Sequence, residues 1–192
     1  MLNPSTRNQW FIGVVLMLLL VSTRSHHFAT LNQLPGASWA VFFLAGVYLR
    51  TLWIFPSLFA AVWLLDFSAV TWGGVGGYCF TPAYAFLLPA YGVLWGAGRW
   101  YAARHQETWK TLSALVPSVL LGALVCEVFS SGSFYLLSER FSALSWGEFF
   151  SREMQYFPAY LQAMVFYVVL AAVMHSLFSI LVRGQKSTLI AS

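Results

Sequence analysis

Charged residues are scarce in this sequence, and their scarcity excludes an ordinary soluble domain. Only 8% of the 192 residues are charged and 59% are hydrophobic, whereas roughly 25% of the residues in a typical soluble domain are charged. This balance indicates a membrane protein. The runs from Phe11 to Leu20 and from Leu161 to Val173 do not alternate between apolar and polar residues, which favours helices over a membrane-spanning β-barrel.

Cysteines and known catalytic motifs are also few. Two cysteines, Cys79 and Cys126, exclude a disulfide framework, and no C-x-x-C pair indicates a dithiol site or a zinc knuckle. The sequence has no P-loop, no H-E-x-x-H and no G-x-S-x-G. A chain without an ATP site cannot drive active transport by itself. The ten Lys and Arg residues are scattered rather than clustered, which argues against a nucleic-acid partner.

The apolar segments predict six transmembrane helices. A helix rises about 1.5 Å per residue and the hydrocarbon core is about 30 Å thick, so a span takes roughly 20 residues. We expect residues 1–192 to form a single all-α transmembrane domain with helices at about 5–23, 37–49, 52–70, 81–100, 111–129 and 157–182. The first helix is predicted to be retained, since no clear small-x-small cleavage site follows it.

The positive charges predict the orientation of these helices. With the N-terminus in the cytoplasm, the inner segments hold seven of the ten Lys and Arg residues and the outer segments hold three, as expected when positive residues favour the cytoplasmic side. Both termini are then cytoplasmic. Three irregular segments share the outer face, namely the polar segment around His27, the glycine-rich segment before Cys79 and the connection 130–156. We expect them to form the rim of a binding cavity.

Cys79 is the leading candidate for chemistry. Four of the five residues at 73–77 are glycine, and glycine allows a ligand to approach the main chain closely. Thr81 and Pro82 are predicted to be the N-cap and the first residue of helix 4, where the partial positive charge of the helix stabilises a thiolate. Such a thiolate can act as a nucleophile or as a soft ligand for the metal of a corrin or a haem. The alternative is a cysteine that only packs.

Several other polar residues have two open interpretations. Asp66 is the only carboxylate in the third apolar segment, so it is expected near the interface or in a polar cavity. It either bonds a neighbouring loop or accepts a hydrogen bond from a polar ligand. Glu127 and Arg152 pair either with each other or with a ligand. His175, inside the last apolar segment, is expected to make an interhelical hydrogen bond.

The chain as a whole resembles the substrate-binding S components of energy-coupling-factor vitamin transporters. The segment from Gly76 to Tyr84, with the sequence GGYCFTPAY, is similar to the cysteine-bearing segment of the BtuM group, the solitary bacterial S components for cobalamin. The likeness extends over essentially the whole length, and the Cys79 segment is its specific part. It implies the six-helix S-component bundle in the bacterial inner membrane, with the vitamin bound at the extracellular side.

The resemblance also implies a chemistry. Cys79 becomes the ligand of cobalt in base-off cobalamin, in place of the dimethylbenzimidazole base, and promotes the removal of cyanide from cyanocobalamin. The protein is then primarily an uptake protein for cobalamin, vitamin B12, with decyanation as a side activity. Pocket positions follow by resemblance for His27, Asp66, Tyr78, Tyr84 and Arg152.

One departure from the family pattern concerns the energising partner. Many S components carry an Ala-x-x-x-Ala pattern in helix 1, where small residues allow a transport subunit to pack closely. Residues 13–20 contain no such pair of alanines. The departure favours a protein that works alone in the bilayer over one that docks an energising module.

Two other classes of protein remain open at this stage. A membrane enzyme could use Cys79 as a nucleophile on a lipid or thiol substrate, although no general base is predictable beside it. A haem or quinone subunit would need histidines within helices at matching depths. Only His175 lies well inside a predicted helix, so this class ranks last.

Overall fold

The described part of the protein is helical. The computed structural model describes residues 5–24, 35–72, 81–105, 112–139, 141 and 144–191, apart from the side chains of residues 112 and 180–191. Within these residues the chain forms six α-helices and one short 3-10 helix. Their bounds are α1 Thr6–Arg24, α2 Ser38–Tyr48, α3 Ile54–Thr71, the 3-10 helix Pro82–Phe86, α4 Leu87–Arg104, α5 Leu112–Leu137 and α6 Trp146–Ala191.

The all-α class and the first three helices are confirmed to within two residues. The fourth predicted helix begins differently, because its first turn is the 3-10 helix and the α-helix proper begins at Leu87. Pro82 occupies the first turn, as predicted. Thr81 is the N-cap residue, but its side chain makes no capping hydrogen bond, so the predicted hydroxyl cap is wrong.

The long connection predicted at 130–156 is wrong. Its first part continues α5 to Leu137, and its last part belongs to α6, which begins at Trp146 and runs through Pro158. The added turns are stabilised by aromatic packing, since the Phe149 ring on α6 lies 5.4 Å from the Tyr135 ring on α5. Tyr135 also holds the residue that precedes α6, because its hydroxyl group accepts from Ser145 N at 2.8 Å and donates to Ser145 O at 3.0 Å.

Helix α2 lies at the centre of the bundle. Its nine residues from Trp39 to Val47 are all buried, so its apolar composition reflects contact with protein on every side rather than with lipid. Tyr91 on α4 stacks on Phe42 with ring centroids 4.4 Å apart. On the side of α6, Trp39 stacks on Tyr160 at 5.4 Å.

Two glycines allow α2 and α4 to touch backbone to backbone. A Cβ atom on Gly46 would overlap the carbonyl oxygen of Trp95, and one on Gly98 would overlap the carbonyl oxygen of Phe43. Each helix therefore contributes one glycine to the same contact. Small residues of this kind let membrane helices pack closely where lipid provides no hydrophobic driving force.

Four helices are long and apolar enough to cross a membrane: α1, α3, α5 from Ser113 to Leu137, and α6 from Trp146 to Ser179. They carry most of the exposed large apolar side chains. Helix α2, with 11 residues, is about 16 Å long, roughly half the thickness of the hydrocarbon core. Helix α6, with 46 residues, is about 69 Å long, so its ends extend beyond that core.

The glycine contact leads to a stability prediction. We expect Gly98→Ala to lower the free energy of unfolding by about 1–3 kcal/mol, the usual cost of overpacking, because a rigid backbone carbonyl occupies the space of the new methyl group. The matched control is Gly96→Ala in the same helix, where no atom lies within 4 Å of the added Cβ. Thermal unfolding in detergent should separate the two variants, and equal melting temperatures would contradict the close contact.

Candidate functional site

A partly buried ion pair lies where the end of α1 meets the end of α3. Arg24 is the last residue of α1, and its Nε donates to Asp66 Oδ1 at 2.7 Å while its Nη2 donates to Asp66 Oδ2 at 2.6 Å. Only 16% of the Arg24 side chain and 22% of the Asp66 side chain are exposed. The two parallel hydrogen bonds are the bidentate arrangement that a guanidinium and a carboxylate make most strongly.

The same guanidinium group binds two further helices. Arg24 Nη1 donates to Ser38 Oγ at 2.9 Å, in the first turn of α2, and to Tyr91 Oη at 3.0 Å, on α4. Four of its five N–H groups are thus used. We refer to Arg24, Ser38, Asp66, Tyr84 and Tyr91 as the Arg24 cluster.

Tyr84 completes the cluster from the 3-10 helix. Its hydroxyl group donates to Asp66 Oδ2 at 2.8 Å. Burial raises the pKa of the Tyr84 phenol, and the neighbouring Asp66 carboxylate raises it further. The phenol therefore stays protonated at neutral pH and remains a donor. Both oxygens of Asp66 thus accept hydrogen bonds from neighbouring protein groups, and its predicted contact with a ligand stays a prediction.

The cluster lies beside the ends of two segments that carry predicted site residues. His27 belongs to the segment 25–34, and Tyr78 and Cys79 belong to the segment 73–80. Both segments lie outside the described residues, and the predictions for these three residues stay predictions. The residues that flank the first segment are joined directly, since Ala37 N donates to Thr23 Oγ1 at 3.2 Å. The second segment is flanked by the helices of Asp66 and Tyr84.

Thr81 adds an unsatisfied polar atom at this end of the bundle. Its Oγ1 is buried, and among the described residues it has no hydrogen-bond partner. Helix α5 comes close to the same place, because Ser133 Oγ lies 3.4 Å from the carbonyl oxygen of Ala83. The described ends of α1, α3 and the 3-10 helix therefore meet together with part of α5.

Arg152 belongs to a separate, exposed ion pair. Its Nη2 lies 3.2 Å from Glu148 Oε1, one helical turn earlier on α6, and both side chains are 44% exposed. Its guanidinium carbon also lies 4.6 Å from the centroid of the Phe141 ring. Glu127 instead accepts a hydrogen bond from Ser131 at 2.8 Å, and its carboxyl group neighbours that of Glu153 on α6. Neither of these contacts is the Glu127–Arg152 pair considered from the sequence.

His175 lies away from the Arg24 cluster, near the C-terminal ends of α2 and α4. Its ring centroid is 6.0 Å from that of Tyr48 and 6.3 Å from that of His105. His105 in turn shares a hydrogen bond of 2.9 Å with the Tyr101 hydroxyl group. The described contacts of His175 are thus aromatic and interhelical, and the predicted hydrogen bond stays a prediction.

Comparison with known proteins adds no family assignment, because no family model and no curated protein matches the sequence. The class of protein therefore follows from the fold. It is a membrane protein whose described residues form a helical bundle, with a partly buried polar cluster at one end.

Arg24 is the functional candidate that the sequence did not reveal. In the sequence it counts only among the three positive residues of the predicted outer segments, although a signal for its role is present. A carboxylate within an apolar helix, such as Asp66, requires a polar or charged partner. The partner lies 42 positions earlier in the chain, and sequence patterns do not identify contacts at such a distance.

The two ion pairs lead to a comparison of matched variants. Asp66→Asn keeps the shape of the side chain but leaves the partly buried Arg24 charge without its partner, so we expect a loss of about 1–3 kcal/mol in unfolding free energy, between the values for exposed and fully buried pairs. Glu148→Gln breaks the exposed pair and should cost less than about 0.5 kcal/mol. Chemical or thermal unfolding in the same detergent measures both. Similar losses would contradict the burial of the Arg24–Asp66 pair.

Proposed function

We propose that the protein binds cobalamin and takes it up across the bacterial inner membrane, with Cys79 as the ligand of cobalt. The observation that supports this proposal is the direct hydrogen bond between Asp66 and Tyr84, 18 positions apart. Both are pocket positions implied by the resemblance to cobalamin-specific S components. They lie on the two elements that flank the segment containing Cys79.

The chemistry proposed for Cys79 is a ligand substitution. The thiolate donates a lone pair to the cobalt of base-off cobalamin, at the axial position that dimethylbenzimidazole leaves. Electron donation from sulfur weakens the bond to the upper cyanide, which leaves as a cyanide ion with the electron pair of the cobalt–carbon bond. Cobalt stays in its +3 state, so the step needs neither an oxidant nor a reductant. Thiolates are suitable ligands because soft donors favour polarisable metal centres.

The Arg24 cluster provides a setting for this chemistry. Its two charges balance each other and four of the five Arg24 N–H groups are bonded within it, so it forms an ordered wall without net charge at the end of an apolar bundle. The role proposed for Tyr84 and Asp66 is to form that wall and to meet the polar periphery of the corrin. His27 and Tyr78 are proposed to line the same pocket from the neighbouring segments, and Arg152 from α6.

The proposed topology places the Arg24 cluster on the extracellular side. With both termini in the cytoplasm, seven of the ten positive residues lie on the inner side, in keeping with the positive-inside rule. In the proposed six-helix S-component arrangement, the four long helices face the lipid and α2 forms the buried centre. The absence of alanine from residues 6–24 supports uptake without a docked energising module.

The proposal predicts that Cys79→Ala abolishes the sulfur-dependent change in the visible spectrum of bound cobalamin. Without the thiolate, cobalt lacks its proposed lower ligand and cyanocobalamin should keep its cyanide. The matched control is Cys126→Ala. Cys126 is fully buried on α5, and its replacement should leave the spectrum unchanged. Absorption spectroscopy of both variants, incubated with cyanocobalamin, measures the difference.

Two outcomes of that experiment would contradict the proposal. If the Cys79→Ala variant shows the same spectrum as the wild type, Cys79 is not a ligand of cobalt. The second outcome is that the wild-type protein contains no corrinoid and that a lipid or thiol substrate analogue labels Cys79 covalently. That outcome would favour a membrane enzyme with a nucleophilic cysteine.

A further inference from the structure

We propose that a cleft between the C-terminal ends of α2 and α4 binds a phosphate group, which Arg50 and Arg99 hold in place. Both arginines line this cleft, which has a volume of about 170 Å³, and we refer to it as the Arg99 cleft. It lies at the end of the bundle opposite the Arg24 cluster, because Arg50 N donates at 3.1 Å to Gln9 Oε1, near the start of α1. The inference goes beyond the binding of cobalamin and uses none of the residues proposed for it.

Small residues leave room in the Arg99 cleft. Gly46 lines it from α2, and Ala102 and Ala103 line it from α4. An apolar cavity of about 150 Å³ admits benzene, and a phosphate group is smaller than benzene. The cleft is therefore large enough for a phosphate group and the first atoms of the molecule that carries it.

The Arg99 guanidinium group is held at the cleft with part of its donors unused. Its Nη1 donates to the carbonyl oxygens of Leu49 at 3.5 Å and of Arg50 at 3.3 Å, and its guanidinium carbon lies 5.0 Å from the centroid of the Trp95 ring. The three N–H groups on Nε and Nη2 bond none of the described residues. These two nitrogen atoms form the edge of an arginine that binds phosphate oxygens through parallel hydrogen bonds.

The positive charges of the cleft lack a counterion among the described residues. Both ion pairs found there involve other arginines, so neither Arg50 nor Arg99 is paired with a described carboxylate. Arg50 is exposed and Arg99 is half-buried. Two like charges that line one cleft repel each other, and an anion bound in the cleft would offset that repulsion.

The surroundings of the cleft favour a lipid as the source of the phosphate group. Trp10, next to Gln9, is 74% exposed, and Trp53, three residues after Arg50, is 78% exposed. They lie at the starts of α1 and α3, two helices that are long and apolar enough to cross a membrane. Tryptophans are enriched at the level of the lipid headgroups. The orientation proposed above makes this end cytoplasmic, and basic pockets between helices on that side bind the headgroups of anionic lipids.

The test is a titration of the 192-residue chain with short-chain phosphatidylglycerol in an uncharged detergent, followed by calorimetry. We expect Arg99→Gln and Arg50→Gln each to weaken binding about tenfold, because each removes a charge-assisted hydrogen bond to phosphate. The matched control is Arg7→Gln. Arg7 is an exposed arginine in the first turn of α1 that does not line the cleft, so its replacement should leave the affinity unchanged.

A further variant separates the cleft from its charge. Ala103 is exposed and lines the cleft, so Ala103→Leu fills the space while both arginines remain, and the affinity should fall. Because Ala103 and Arg50 are exposed, their variants also test the inference if Arg99→Gln does not fold. An equal loss of affinity in Arg7→Gln and in the cleft variants would overturn the inference, and so would an unchanged affinity in the folded cleft variants.

A second titration, with inorganic phosphate in place of the lipid, identifies the source of the phosphate group. If phosphatidylglycerol binds and inorganic phosphate does not, the source is a lipid headgroup. If inorganic phosphate binds and its binding requires Arg50 and Arg99, the phosphate group alone is sufficient and a soluble phosphate compound is a source. Binding of neither would overturn the inference. No corrinoid is present in these titrations, so protein that shows this binding but takes up no cobalamin would refute only the proposed function.

Discussion

The ion pair between Arg24 and Asp66 is the interaction on which one end of this bundle depends. A single charge in an apolar helix bundle is costly, and two opposite charges are tolerated there only when their geometry is good and their remaining donors and acceptors are satisfied. Arg24 comes close to this condition, because four of its five N–H groups are bonded to three residues. The pair therefore contributes less to net stability than to a fixed arrangement of α1, α2, α3 and α4.

Packing and polarity have separate roles in the bundle. The centre is formed by apolar contacts around α2, and the contact of Gly46 and Gly98 with the facing backbones brings α2 and α4 together. Close packing of this kind holds membrane helices together. The directional hydrogen bonds of the Arg24 cluster fix how α1, α2, α3 and α4 are aligned with one another at one end of the bundle. That end flanks both segments in which the predicted ligand residues His27 and Cys79 lie.

The sequence predicted the helices well where apolar runs had clear polar boundaries, as for α1, α2 and α3. It failed at α6, because the charged residues from Glu148 to Glu153 and Pro158 resemble a loop and a helix start. The structure continues the helix through them, since Phe149 packs on Tyr135 and the added turns gain tertiary contacts. Asp66 was identified as a residue in need of a partner, but the identity of that partner depends on how α1 and α3 pack. The predictions for His27, Tyr78 and Cys79 concern residues outside the described part of the chain.

The absorption spectrum of the purified protein tests the proposal that this end of the bundle holds a corrinoid. Protein isolated from cells grown with cobalamin should carry the vitamin at close to one molecule per chain and show a spectrum distinct from that of free base-on cobalamin. Colourless protein that also fails to take up added cobalamin would contradict the account.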